Sequence, residues 1–149
     1  MWLSNNEEFV TDSLIKYNIY IIVHNYIMSS LVLPSIIINP LKILVNIASS
    51  TKNAYIEYLI QNDVISLLKI LVNTFINNSN SHSKSVLRVV IWLASNLSDS
   101  DYNNYLFLDG VFIKQVNKIY KVKKDKGISR ETVYFYSNLA LNWYKIHVR

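Results

Sequence analysis

Apolar residues recur along the chain at helical spacing, most plainly at Leu87, Val90, Ile91, Ala94 and Leu97, which share one face of a helix. Strictly alternating runs are few, and the chain has two glycines and two prolines, so the pattern argues against a β protein. The expected class is all-α. The polar run Asn73 to Ser85 reads as a loop.

The helical patterns group into units. Three strings align without gaps: Leu14 to Ile19, Leu59 to Val64 and Leu106 to Val111. Each has Leu first, and the fifth place holds Asn18, Asp63 or Gly110, residue types that tolerate the left-handed backbone between two helices. A second series follows at Asn46, Asn96 and Asn138, each beside small and apolar residues. The double register predicts one domain over residues 1–149, with repeats at about 6–50, 51–99 and 100–141. Each repeat is expected to hold three helices, about nine in all. The first helices are expected at Glu7–Tyr17, Asn53–Asn62 and Asp101–Asp109, and the second at Ile19–Ile27, Val64–Val72 and Val111–Tyr120. The third are expected at Pro40–Ala48, Lys84–Leu97 and Ser129–Leu141, with Pro40 in a first turn, where no N–H is needed.

Here the residues resemble a known family. The order of a short helix, a Gly-Val-Ile-type turn, a Leu-rich helix and then Trp-x-x-x-Asn-Leu-Ala is similar to the armadillo repeat, and most to its importin-α branch. The best match is Ile91-Trp92-Leu93-Ala94-Ser95-Asn96-Leu97. The pattern departs elsewhere: the Gly is kept only at Gly110, Ser66 replaces the family's Pro in the second unit, and Lys42 and Tyr134 replace Trp92 in the other two. The resemblance implies a right-handed α-solenoid whose third helices line a groove, with an Asn row holding an extended peptide and Trp92 forming a shelf for a cationic side chain. The implied peptide-binding residues are Trp92, Asn96, Asn46, Asn138, Tyr134 and Asp99. Asp101 is a further carboxylate near by, whereas Ser50 and Asn142 stand at the corresponding places of the other units. The Asn residues have a second reading, as caps of the third helices. Trp92 has one too, as core.

Composition changes this picture in three places. The net charge is +5, and it sits late: residues 110–149 hold nine Lys and Arg against Asp125 and Glu131, while residues 1–109 hold six against eight acids. Lys121 to Lys126 is a basic run expected to be a solvated loop, with a nuclear localisation signal or phosphate patch as the alternative. With no cysteine, disulfides and thiolate chemistry are excluded. Tyr17 to Leu41 carries no Lys, Arg, Asp or Glu, yet His24, Asn25, Pro34 and Pro40 interrupt it, so no membrane span is expected. His24, His82 and His147 lack ligand spacing, no phosphate loop occurs, and no catalytic constellation appears.

The sequence therefore reads as a non-enzymatic protein- or peptide-binding module without a cofactor, cytoplasmic or nuclear. Recognition of nuclear localisation signals in protein import is what the resemblance implies. The alternatives are a structural armadillo scaffold with no transport role, or a basic helical-repeat binder of nucleic acid. No Arg-rich segment precedes the first repeat, so the expectation is a fragment or small relative of the carriers. The repeat ends are candidates for self-association, with Trp143 and Ile146 folding back as a partial turn over the last unit.

Overall fold

The computed structural model describes residues 2–99, 107 and 110–148, with the backbone alone for 2–6 and 146. Eight helices make up this part: α1 (Trp2–Lys16), α2 (Ile19–Ser29), α3 (Pro34–Ala48), α4 (Asn53–Gln61), α5 (Val64–Phe75), α6 (Ser81–Ser98), α7 (Val111–Lys123) and α8 (Lys126–His147). There is no strand among the described residues. The all-α expectation is met. The expected first helix of the third unit, Asp101–Asp109, lies outside the described residues except for Phe107. None of the described helices is long and apolar enough to cross a membrane.

Local chemistry sets the starts. Asn18, Asp63 and Gly110 have φ of 53°, 61° and 76°, and each stands one residue before α2, α5 or α7. These are the left-handed joints the aligned strings predict, occupied by residue types that bear them at least cost. The Asn80 side chain accepts from the His82 N–H at 2.8 Å to cap α6, and the Asp125 carboxylate accepts from the Ile128 N–H at 2.9 Å to cap α8.

Several boundaries differ from expectation. α3 begins at Pro34, so Pro40 lies inside it rather than in its first turn. The proline ring takes one N–H out of the helix ladder, from the carbonyl of Ile36, and Ile36 is exposed, where solvent reaches. The loop expected over Asn73–Ser85 shrinks, because α5 runs on to Phe75 and α6 starts at Ser81. The basic run is mostly helix and not a loop: Lys121 and Lys123 belong to the end of α7, and Lys126 opens α8. Lys121, Lys124 and Lys126 are exposed to solvent as expected. Lys123 is buried, and its Nζ donates to the Asn78 carbonyl at 2.6 Å. α8 also continues unbroken to His147, so the chain around Trp143 does not fold back. The Trp143 ring stays exposed and stacks on His147 at 4.7 Å.

Packing is organised by α3, α6 and α8. α6 lies between α3 and α8 and packs on both, α2 packs on α3, and α5 packs on α6. The core is aliphatic around Leu41, Leu44, Leu68, Leu71 and Val90. Toward α7 and α8 it turns aromatic: the rings of Phe107, Phe112 and Phe135 stand 5.5, 5.2 and 5.7 Å apart pairwise, the tilted and edge-on arrangement that ring quadrupoles favour.

Polar clips tie α1 and α2 to α4 and the residue before it. The Tyr58 hydroxyl donates to Asn18 Oδ1 at 2.7 Å and accepts from the Tyr20 N–H at 3.0 Å, so a side chain of α4 supplies the cap of α2. Lys52 pairs with Glu8, and the Tyr55 hydroxyl donates to Asp12 Oδ1 at 2.6 Å.

Candidate functional site

The third helices place the implied site residues. Trp92 and Asn96 are four apart on α6 and share a face. Tyr134 and Asn138 stand in the same relation on α8. Between the two helices lies a depression of about 420 Å³ lined by Trp92, Ser95, Asn96, Arg130, Glu131, Tyr134 and Asn138. A second, of about 320 Å³, adjoins it between α3 and α6, and Ile38, Lys42, Arg88 and Val89 line it together with Trp92, Arg130 and Glu131. Trp92 is therefore common to both, and it is 39% exposed although most of α6 is buried. It belongs to the surface, not to the core.

The asparagines do something other than wait for a ligand. Asn96 Nδ2 donates to the Val45 carbonyl of α3 at 3.4 Å, and Asn138 Nδ2 donates to the Ser95 carbonyl of α6 at 2.9 Å. Asn142 Nδ2 reaches the Ser98 carbonyl in the same way. Each amide thus serves a carbonyl in the last turn of the preceding third helix. Val45 and Ser95 already accept the N–H of Ser49 and Asp99, so the amides take a second lone pair there. Ser98 is the last residue of α6, where helical donors run out. This is a capping use, made across helices and not along one.

Two of the implied residues line neither Trp92 depression. Asn46 does not join the Trp92 depressions; it lines a separate cleft of about 560 Å³ between α1 and α3, with Glu7, Val10, Leu14 and Ile43. Its helix precedes α6 in the stack, and no third helix among the described residues lies on its outer side to share a depression with it. Asp99 is the exposed residue that follows α6, and it lines neither Trp92 depression. Asp101 lies outside the described residues.

Three charged residues that the sequence pattern does not single out sit at the site. Glu131 is only 8% exposed and pairs with Arg130, whose Nη2 lies 3.2 Å from its Oε1. Arg88 lies across the start of α8: a Cβ added at Gly127 would stand 2.6 Å from Arg88 Cδ. The available signal for Glu131 is its spacing, seven residues before Asn138 and so two turns along the same face. With Lys42 also on the rim, three cations and one carboxylate surround Trp92. Compared with known proteins, the chain matches no family model, no curated protein and no solved structure.

Proposed function

We propose that the chain is an armadillo-type α-solenoid of three units that binds an extended segment of another protein across Trp92. The observation that carries this reading is an indole 39% exposed at the junction of two depressions. A tryptophan so placed offers a large apolar contact with a polar N–H, the combination that dominates protein interfaces. The charge around it defines the ligand. Glu131 is matched by Arg130, which leaves Lys42 and Arg88 to be answered. A segment with an acidic side chain beside an apolar or aromatic one fits that pattern.

Glu131 favours a second reading, the importin-like one. A single ligand Lys or Arg laid over the indole would have a carboxylate beside it. A run of such cations would meet Lys42, Arg88 and Arg130, so a clustered nuclear localisation signal fits less well than an acidic segment.

A displayed random-peptide library panned on the chain, followed by anisotropy titration of the selected peptides, tests both. The expected selection is acidic-apolar, and Trp92→Ala should weaken binding by about 1–3 kcal/mol. Enrichment of Lys and Arg runs would favour the importin-like reading. Equal affinity for wild type and Trp92→Ala would remove this face from consideration.

A further inference from the structure

The junctions inside the stack repeat one pattern. On α6, Asn96 shares its face with Val86, Val89 and Leu93, and on α8 Asn138 shares its face with Ile128, Glu131 and Phe135. Those six neighbours are buried. The receiving sides repeat as well. Val45, whose carbonyl takes Asn96, stands with Leu41 and Ala48; Ser95, whose carbonyl takes Asn138, stands with Ile91 and Ser98. These six are also buried.

Moved one unit outward in each direction, the same positions lie open. On α3, Asn46 shares its face with Ile36, Asn39 and Ile43. Asn46, Ile36 and Asn39 are exposed, and Ile43 is half-buried. The Asn46 amide has no partner among the described residues, and it borders the 560 Å³ cleft. On α8, Ser137 stands with Val133 and Ala140, and all three are exposed, Val133 by 62%. The chain carries an amide-bearing half-junction on α3 and a carbonyl-bearing half-junction on α8.

We propose that a second copy of this chain docks head to tail, laying its α3 on α8 of the first, with Asn46 Nδ2 donating to the Ser137 carbonyl. The contact continues the junctions already present between α3, α6 and α8. A helix carbonyl has a second lone pair for such a donor, as Ser95 demonstrates by accepting from both the Asp99 N–H and Asn138. Charge complements the fit: Glu7 of α1 lines the cleft beside Asn46, whereas residues 110–149 are strongly basic, so the two faces attract. The contact joins unlike faces, so it propagates instead of closing on a pair. It does not depend on the peptide-binding reading.

Sedimentation velocity over a concentration series tests it, with Ile36→Asp and Val133→Asp as one-ended variants. Both positions are exposed, and circular dichroism checks that the helices remain. Wild type should grow past the dimer as concentration rises, each variant alone should stay monomeric, and an equimolar mixture should stop at the dimer. The mixture pairs because one variant keeps its α8 face and the other its α3 face. Asn46→Ala should weaken association about tenfold. Wild type monomeric at every concentration, either variant dimerising alone, or a mixture that stays monomeric would each overturn the proposal.

Discussion

The two junctions of the third helices differ in chemistry. Where α6 meets α3, the buried positions are aliphatic (Leu41, Val45 and Ala48 on α3, Val86, Val89 and Leu93 on α6), with one long amide bond from Asn96 at 3.4 Å. Where α8 meets α6, Ser95, Ser98 and Glu131 are buried among apolar groups, and Asn138 and Asn142 both donate across. Apolar burial is non-directional and supplies stability with little say over register. Satisfied polar contacts fix one arrangement, because a slip would leave buried groups unpaired. The second junction is therefore the one whose register is specified by hydrogen bonds.

The largest expected effect tests the aromatic backing of that second junction. Phe135→Ala removes the ring that meets both Phe107 and Phe112, and should cost about 3–5 kcal/mol in urea unfolding. A smaller effect separates the junctions directly. Asn142→Ala should cost about 1–3 kcal/mol, because Ser98 ends its helix and loses a donor, and Asn138→Ala about 0.5–1.5 kcal/mol, because the Ser95 carbonyl keeps the Asp99 N–H. Asn96→Ala should fall at the low end of about 0.5–1.5 kcal/mol. Equal losses at all three positions would show that the junctions are alike in energy.

A modest effect concerns pH. Burial raises the Tyr58 phenol above its ordinary value of 10.0, so the folded state favours the neutral form. Its contribution is whole below pH 10.0 and falls away as pH climbs through the raised value. Tyr58→Phe should lower stability by about 1 kcal/mol at neutral pH, through loss of the bonds to Asn18 and Tyr20, and should make the alkaline fall shallower. Thermal melts at neutral and alkaline pH measure both.

Much of the fold is legible in the chain. The left-handed joints at Asn18, Asp63 and Gly110 follow from residue type and spacing, and the third helices follow from the Asn register. Helix ends are harder to place: Ser81, His82 and Ser83 add a polar turn to α6 that carries no apolar signal, and at α8 the start is set by the Asp125 cap rather than by apolar spacing. The site is legible in part. Trp92 and Tyr134 show in the alignment of units, but the partners of Asn96 and Asn138 are set by packing between helices distant in sequence. Glu131 shows only through its spacing from Asn138, because an acid in a basic segment otherwise looks like a solvated one. Burial distinguishes it.

The clip at Tyr58 has a consequence for synthesis. Its hydroxyl completes the start of α2, yet it lies 40 residues beyond Asn18. A chain made from its N-terminus has α1 and α2 before it has the group that caps α2. The N–H of Tyr20 must stay hydrated until α4 emerges. On the ribosome, α2 is thus expected to remain loosely held and to tighten only when α4 has been delivered.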